Sequence, residues 1–246
     1  MRYLILSDIH SNWEALEAVL EDAAGKYDRA LCCGDLVGYC ADPNRVVEWA
    51  RANLAAIVRG NHDKAVAGLD GIEWFNPVAQ AATLWTRHVL TPANLEYLTN
   101  LPKGPLIVGD FTLAHGAPVD EDEYLLEAFE ARQAFQYVER PVTFFGHTHV
   151  QGGFCLETRH VSRIGKPGSQ HPELLVDLKP DAWYLVNPGS VGQPRDHDAR
   201  AAYALYDPEE RFLALRRTPY DIPSAQAKIE HAGLPGSLAQ RLAAGR

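Results

Sequence analysis

The sequence predicts an α/β protein, because short apolar strands alternate with amphipathic helices along its first 60 residues. Three apolar runs, at residues 3–6, 30–33 and 54–58, each end in polar residues and are separated by apolar residues at helical spacing. Beyond residue 150 the pattern changes to five further apolar runs separated by Gly, Pro, Asp and Lys, which is typical of strands joined largely by hairpins. The early alternation favours a parallel sheet with its loops at one edge.

Helix starts are indicated by capping residues and first-turn prolines. They lie at Ser11–Glu14, Asp42–Pro43, Asn76–Pro77 and Thr91–Pro92. The acidic run at 120–123 is predicted to cap a helix bearing Leu125 and Phe129, and a further helix is expected through Phe135 and Val138. The tail from residue 224 predicts closing helices, broken at Gly233 and Pro235. Residues 161–171 are rich in Gly and polar side chains and are predicted to form a loop near the site.

The length and composition of the chain restrict the kinds of protein that it can be. The chain has 246 residues, 46% of them hydrophobic, and a formal charge of 23 − 32 = −9, so we expect one domain over residues 1–246 and no extended nucleic-acid surface. No apolar run approaches the roughly 20 residues that cross a bilayer, and no signal peptide is recognised. Four cysteines without Cys-x-x-Cys spacing predict reduced thiols and a cytoplasmic protein, with a zinc site at Cys33 and Cys40 as an alternative.

Polar side chains follow each early strand. Asp8 and His10 follow the first run, Asp35 the second, and Asn61 and His62 the third. Gathered at one sheet edge, carboxylates and imidazoles suit Mn²⁺, Fe²⁺ or Zn²⁺ better than Ca²⁺, which prefers oxygen alone. A hydrogen-bonded network without metal is the alternative.

Three more histidines follow later strands. His115 ends the strand at 111–114, and His147 and His149 follow an apolar run that includes Phe144. If the chain stays extended through Thr148, the last two rings share a face with origins roughly 6–7 Å apart. That spacing admits one shared metal or two neighbouring ones, and a polar turn without metal is the alternative.

The order of these motifs resembles the calcineurin-like metallophosphoesterase superfamily. Its five blocks are Asp8-x-His10, Gly34-Asp35, Gly60-Asn61-His62-Asp63, His115-Gly116 and Gly146-His147-Thr148-His149. The compact length and the stretch 187–191 are most similar to its small bacterial and archaeal phosphodiesterase-like group. The resemblance implies a four-layer α/β/β/α sandwich, with two central mixed sheets flanked by helices.

The resemblance also implies a centre of two divalent ions, Mn²⁺ being favoured and Fe, Zn or Ni being alternatives. It assigns Asp8, His10 and His149 to one ion, Asn61, His115 and His147 to the other, and Asp35 to both as a bridge. In the family a hydroxide that bridges the ions attacks phosphorus. His62 is the implied general acid, with an outer-shell histidine as the alternative. Asp63 either orients His62 or is an ordinary surface acid.

One departure from the family concerns phosphate binding. The Asp-Arg-Gly of the Ser/Thr protein phosphatase branch is missing after Asp35, where the chain reads Leu-Val-Gly-Tyr. Arg195 is therefore a candidate for holding phosphate oxygens together with Asn61, although a surface charge is an equal alternative, and Lys166 is a weaker candidate. The cleft walls are expected from residues 153–182 and from the loop after Asp35.

The leading functional hypothesis is a metal-dependent phosphodiesterase acting on a small phosphoester. Phosphomonoesterase or Ser/Thr protein phosphatase activity is the second. A non-enzymatic scaffold, such as the retromer subunit that keeps this fold without the catalytic histidine, is the third, and the presence of His62 argues against it. The sequence does not predict the physiological substrate or the oligomeric state.

Overall fold

Twelve strands and eight helices form the computed structural model, which describes residues 1–246. The strands are β1 (Tyr3–Leu6), β2 (Arg29–Cys32), β3 (Leu54–Ile57), β4 (Leu106–Val108), β5 (Phe111–Leu113), β6 (Val142–Phe144), β7 (Gly152–Glu157), β8 (His160–Ile164), β9 (Glu173–Asp177), β10 (Ala182–Asn187), β11 (Ala201–Asp207) and β12 (Phe212–Thr218). The helices are α1 (Trp13–Asp22), α2 (Pro43–Asn53), α3 (Asn61–Val66), α4 (Pro77–Val89), α5 (Pro92–Thr99), α6 (Ala128–Ala134), α7 (Ile222–His231) and α8 (Gly236–Ala244).

The strands form two mixed six-stranded sheets. The first has the order β3-β2-β1-β11-β12-β9, and the second has the order β4-β5-β6-β10-β7-β8. In the first sheet β1, β2 and β3 are parallel, and in the second β5, β6 and β10 are parallel. The carboxyl ends of these parallel strands carry the polar residues singled out in the sequence.

The two sheets pack face to face because their central strands are apolar on both sides. Ile5 and Leu31 point from the first sheet toward Phe111, Phe144 and other buried residues of the second. Leu4 and Leu6, which alternate with Ile5 along β1, face the opposite way and pack with residues of α1 and α2. This arrangement is the four-layer sandwich predicted above.

Helices cover the outer face of each sheet. Buried residues of α1, α2 and α5 pack on the first sheet, and α6 packs on the second through Ala131 and Ala134. The closing helices α7 and α8 pack with α4 in a separate cluster. None of the helices has the length and apolar character needed to cross a bilayer.

Some local predictions were wrong. Residues 160–164 form the edge strand β8 instead of a loop, since an edge strand tolerates polar side chains. The acidic run at 120–123 caps no helix: α6 begins later, with Glu127 at its N-cap, and ends before Phe135. Glu121 is instead ion-paired with Arg59, whose Nη2 lies 2.8 Å away.

Candidate metal centre

The predicted ligands meet between the two sheets, so the expectation of a single sheet edge was wrong. Asp8, Asp35 and Asn61 follow β1, β2 and β3 of the first sheet, whereas His115 and His147 follow β5 and β6 of the second. Because the sheets are stacked, the carboxyl ends of their parallel strands converge from two layers. The site is therefore assembled from both layers of the sandwich.

One set of ligand atoms, here the Asp8 group, is tightly clustered and fully buried. Its members are Asp8, His10, Asp35 and His149, whose ligand atoms all lie within 4.8 Å of one another. The Nε2 atoms of His10 and His149 are 3.1 Å apart, and the Nε2 atom of His149 lies 3.4 Å from Asp8 Oδ1. Carboxylate and imidazole atoms at this spacing can converge on one cation.

A second set, here the Asn61 group, lies beside the first and consists of Asn61, His115 and His147. Asn61 Oδ1 is 3.1 Å from His115 Nε2 and 3.0 Å from His147 Nδ1. Asp35 lies between the groups, because its Oδ2 atom is 3.4 Å from His10 Nε2 and 3.5 Å from His115 Nε2. The structure thus brings together all seven predicted ligands, with His147 and His149 in different groups.

The donor set fits divalent metal ions. Asp35 Oδ2 is buried and has no hydrogen-bond partner within the protein, although it lies between two imidazole nitrogens. A buried carboxylate oxygen without a partner is costly, and a cation shared between the two groups would compensate it. The neighbouring ligands are one carboxylate, one carboxamide and four imidazoles, which suit borderline transition metals.

Backbone carbonyls orient three of the ligand imidazoles. The Nδ1 atoms of His10, His115 and His149 lie 2.9, 2.8 and 2.6 Å from the carbonyl oxygens of Val37, Cys33 and Gln193, respectively. If each Nδ1–H donates, the Nε2 lone pair points into the site, as a ligand requires. His147 has the opposite arrangement, with Nε2 3.1 Å from the carbonyl oxygen of Asp122 and Nδ1 facing Asn61.

The backbone at the ligand positions is not extended. Five ligands have positive φ angles: Asp8 52°, His10 50°, Asp35 56°, His147 65° and His149 59°. This conformation is uncommon for residues other than glycine, and such strain is found mostly at functional sites. The premise that the chain stays extended through Thr148 is therefore wrong, and the turn separates the two imidazoles into different groups.

Burial sets the protonation of these groups. It raises the pKa of Asp8 to about 7 and raises the pKa of Asp35 well above its usual value. It lowers the pKa of His147 to about 2 and holds the pKa values of His10 and His149 well below the usual range. The imidazoles of His10, His147 and His149 are thus neutral, which is the form that binds metals, and the two carboxylates need a cation to stay ionised.

His62 lies outside the ligand groups, in contact with them. Its ring centroid is 4.9 Å from that of His10, 4.5 Å from that of Tyr39 and 4.7 Å from that of Phe75. Burial lowers its pKa well below the usual value, and its ring Nδ1 is buried without a partner. Its backbone N–H donates to Asp35 Oδ1 at 2.9 Å, so the residue that would carry the acid role is tied to the central carboxylate.

Asp63 has neither of the two predicted roles. It is fully buried, so it is not a surface acid, and its carboxylate is occupied by backbone donors instead of by the His62 ring. The N–H groups of Asp35 and Gly60 donate to Oδ2 at 2.8 and 3.0 Å, and that of Val37 donates to Oδ1 at 3.2 Å. Asp63 therefore positions the loop that carries Asp35.

Arg195 lies at the rim of the Asp8 group. Its Nη2 donates to the Tyr39 hydroxyl and to Gln193 Oε1, both at 3.2 Å, and its backbone N–H donates to the carbonyl oxygen of His149 at 3.1 Å. The guanidinium is thus held beside the site by contacts that a freely solvated charge would lack. Lys166 is paired with Asp196, with Nζ and Oδ2 3.2 Å apart.

A cavity of about 350 Å³ opens beside the site and includes His62, Asn61 and His147 in its lining. Its outer walls come from the segment 70–76 and from Asp122 and Tyr124, whereas residues 153–182 contribute none, so that prediction was wrong. The loop after Asp35 contributes Tyr39 to the cavity wall, as expected. Trp74, Phe75 and Tyr124 were missed, since aromatic residues in a loop carry no motif; their exposure is visible only in the fold.

The cysteines take no part in a metal site. All four are free thiols, and the cluster of potential metal-ligating side chains contains none of them. Cys33 contributes only its carbonyl oxygen, which lies near His115. The alternative of a zinc site at Cys33 and Cys40 is not supported by the structure.

Comparison with known proteins identifies similar chains. The family model for the calcineurin-like phosphoesterase superfamily domain, a description of its sequence pattern, matches residues 1–211 of this chain. An uncharacterized protein of Methanocaldococcus jannaschii is 36% identical over 252 residues, covering 98% of this chain and 97% of its own. The crystal structure of a metallophosphoesterase from Sphaerobacter thermophilus is 39% identical with a TM-score of 0.85, covering 100% of this chain and 99% of that one. A hypothetical protein from Pyrococcus horikoshii, 18% identical with a TM-score of 0.76 over 100% of this chain and 98% of that one, shares the fold.

Proposed function

The chain belongs to the calcineurin-like phosphoesterase superfamily, and we propose that it hydrolyses phosphodiesters at a centre for two divalent metal ions. The observation that carries this proposal is the unpartnered Asp35 Oδ2 atom between the Asp8 and Asn61 groups. Its position suits a carboxylate shared by two cations. The Asp8 group would hold one ion and the Asn61 group the other, with Asp35 common to both.

When bound, two such ions supply electrostatic stabilisation of phosphoryl oxygens and a water molecule of lowered pKa. Mn²⁺ is our first choice and Fe, Zn and Ni are alternatives, because the donor set mixes nitrogen and oxygen. The burial of the ligand groups keeps bulk water away, which strengthens every charge interaction at the site.

His62 is proposed to assist the leaving group. It lines the cavity, and its ring Nδ1 is buried without a hydrogen-bond partner within the protein. A neutral imidazole retains one N–H, which can donate to the oxygen that departs from phosphorus. The backbone N–H of His62 bonded to Asp35 Oδ1 holds the ring next to the ligand groups.

Arg195 is proposed to hold a phosphate oxygen that does not react. The Tyr39 hydroxyl and Gln193 restrain its guanidinium, and the Nε atom remains buried without an acceptor. A planar guanidinium offers several donors to a phosphoryl group. Asn61, which lines the cavity, would also contact the substrate.

Charge and space favour a diester over a monoester. A phosphomonoester carries a charge of about −1.5 to −2 at neutral pH, whereas a diester carries a single negative charge. Lys64, the cation lining the cavity, is already paired with Asp122 and Asp70, so the cavity lining offers no free cation for the additional charge of a monoester. The cavity beyond His62 also leaves room for the second ester substituent.

The test compares two chromogenic substrates on protein loaded with Mn²⁺, Fe²⁺, Zn²⁺ or Ni²⁺. We expect metal-dependent hydrolysis of bis(p-nitrophenyl) phosphate with a higher kcat/KM than that of p-nitrophenyl phosphate, and loss of both after chelation. Faster hydrolysis of the monoester would replace the diester assignment with a phosphatase. Inertness of every loaded form toward a panel of mono- and diesters would overturn the proposal and favour a scaffold role.

The cellular setting is proposed from the cysteines. All four thiols are free, and three of them are buried. Free thiols persist in reducing compartments, so we propose a cytoplasmic enzyme that acts on a small phosphoester.

A further inference from the structure

Aromatic side chains form the outer walls of the cavity beside the metal centre, here named the aromatic cleft and defined by Tyr39, Trp74, Phe75 and Tyr124. Phe75 packs on the His62 ring, and Tyr124 packs on the His147 ring with 4.0 Å between centroids. The two walls therefore continue the surfaces of a proposed acid and of a proposed ligand. A group attached to the leaving oxygen would enter between them.

The rim of the cleft exposes aromatic surface to solvent. Trp74 is 91% exposed and Tyr124 is 44% exposed, although both are large apolar side chains. Exposed aromatic surface beside a cavity of about 350 Å³ is typical of a small-molecule site, whose volumes begin near roughly 300 Å³. The segment that carries Trp74 and Phe75 is held in place by two hydrogen bonds. The Phe75 N–H donates to the Ile72 carbonyl, and Gln80 Nε2 donates to the Phe75 carbonyl.

The charged side chains of the cleft disfavour a second phosphate group there. Its lining contains one cation, Lys64, and two carboxylates, Asp70 and Asp122, and the lysine is paired with both. The remaining charge is negative, so an anionic substituent would be repelled. An uncharged substituent of the diester is favoured.

Polar atoms at the edge of the cleft match a heterocycle better than a plain aryl ring. Asn76 Oδ1 caps α4 by accepting from Val78 and Ala79, which leaves the side-chain NH₂ as a donor at the rim. Asp70 adds a carboxylate to the lining, and its oxygens also contact Lys64 Nζ and the N–H of Gly71. A few polar groups at the edge of a stacking surface are how proteins bind the bases of nucleotides.

We propose that the aromatic cleft binds the nucleobase of a nucleoside phosphodiester, with the nucleoside on the leaving-oxygen side next to His62. This inference rests on the proposed phosphodiesterase function and names its substrate class. Trp74 is the main stacking residue, and the variant Trp74→Ala removes it. Trp183→Ala is the matched control, because Trp183 is a partly exposed tryptophan on β10 that does not line the cleft.

The first experiment measures binding without turnover. Saturation-transfer NMR is recorded with adenosine, ribose and phenol on the full chain loaded with Zn²⁺, which is diamagnetic. We expect saturation of the adenine H2 and H8 protons with the native protein and with Trp183→Ala, and its loss with Trp74→Ala. Equal adenine signals from the native protein and Trp74→Ala, no adenine signal at all, or a signal from phenol but not from adenosine would each overturn the nucleobase assignment.

The second experiment measures hydrolysis of two cyclic diesters, adenosine 2′,3′-cyclic phosphate and glycerol 1,2-cyclic phosphate, which share the reacting ring and differ in the nucleoside. Loss of base stacking is expected to lower kcat/KM of Trp74→Ala for the nucleotide about tenfold or more, chiefly through KM, and to leave the glycerol ester unchanged. Equal losses on both esters, or none on the nucleotide, would refute the assignment. If the native protein hydrolyses neither ester nor any other diester, the proposed function fails. The adenosine spectra still show whether the aromatic cleft binds a nucleobase, because they do not depend on hydrolysis.

Discussion

The Nε2 atom of His147 lies 3.1 Å from the carbonyl oxygen of Asp122, and this contact turns the other ring nitrogen toward Asn61. His147 is thereby oriented by the loop that contains Asp122. The same loop is tied to α3, because the Asp122 carboxylate pairs with Lys64. The orientation of a proposed ligand consequently depends on an ion pair outside the ligand groups.

Replacing Lys64 by methionine is expected to weaken binding of one of the two ions. The Asp122 loop would lose its partner, and the His147 ring would lose its fixed orientation; such outer contacts are typically worth 10–100-fold in metal affinity. Calorimetric titration of the apoprotein with Mn²⁺ measures the change. Lys179→Met is the control, since Lys179 also pairs with a carboxylate, that of Glu157, but lies far along the chain in an exposed position. Equal affinities of the Lys64→Met and Lys179→Met proteins would contradict the role given to the Asp122 contact.

His147→Ala and His149→Ala are expected to remove different metal-binding events. The two imidazoles belong to the Asn61 group and the Asp8 group, respectively, so each variant should keep one event and weaken the other by roughly 100-fold or more, beyond the effect of outer contacts. Titration with Mn²⁺ followed by elemental analysis gives the stoichiometry. If both variants lose the same event, the two histidines share one ion and the assignment to two groups is wrong.

His62→Ala is expected to lower kcat for a diester by about 10²–10⁴-fold, the range for a general acid. Metal content should remain at the native value, because His62 belongs to neither ligand group. Rates on bis(p-nitrophenyl) phosphate and metal analysis of the same preparation test both statements together. Native turnover in the variant would remove the proposed acid role, and loss of metal would instead make His62 a ligand or a support of one.

Gly60→Ala is expected to damage both ligand groups at once. A Cβ at this position would lie 2.4 Å from the backbone nitrogen of Asp35 and 2.0 Å from its Oδ1, so the shared carboxylate would have to move. We expect a loss of about 1–3 kcal/mol in the free energy of unfolding, as for overpacked interiors, together with weaker binding of both ions. Urea unfolding and Mn²⁺ titration measure the two effects.

Gly236→Ala is the control for this substitution, since no atom lies within 4 Å of a Cβ built at Gly236, at the start of α8. It should leave metal binding unchanged and stability the same or slightly higher. Equal behaviour of the two alanine variants would mean that the approach of Gly60 to Asp35 does not matter.

Much of the fold could be predicted because each early strand is a short apolar run that ends in a polar residue. The runs at 3–6, 30–33 and 54–58 match β1, β2 and β3 within about one residue at each end. The edge strand β8 was missed since only one of its two faces is covered, and its polar side chains resemble those of a loop. The start of the helix after the acidic run was predicted too early. Glu121 forms an ion pair with Arg59, 62 residues away, and no local sequence pattern reveals such a contact.

The grouping of the seven candidate ligands could be predicted because metal chemistry restricts ligands to a few residue types, and these residues follow strand ends in the sequence. Their arrangement could not, because two stacked sheets and one sheet produce the same order of motifs along the chain. The aromatic cleft also escaped prediction: Trp74 and Tyr124 are 50 positions apart and meet only when the segment before α4 folds against the Asp122 loop. The contacts of Asp63 with three backbone N–H groups depend likewise on tertiary structure.

The convergence of the ligands from two stacked sheets makes the metal centre a cross-link. Asp8, Asp35 and Asn61 belong to one sheet, and His115 and His147 to the other, so ions held between them join layers that otherwise adhere mainly through apolar packing. Ligands that bind only the folded state stabilise it by an amount that grows with the logarithm of the ligand concentration divided by Kd. Metal loading should therefore raise the unfolding temperature of the protein by joining the two sheets, and chelation should lower it.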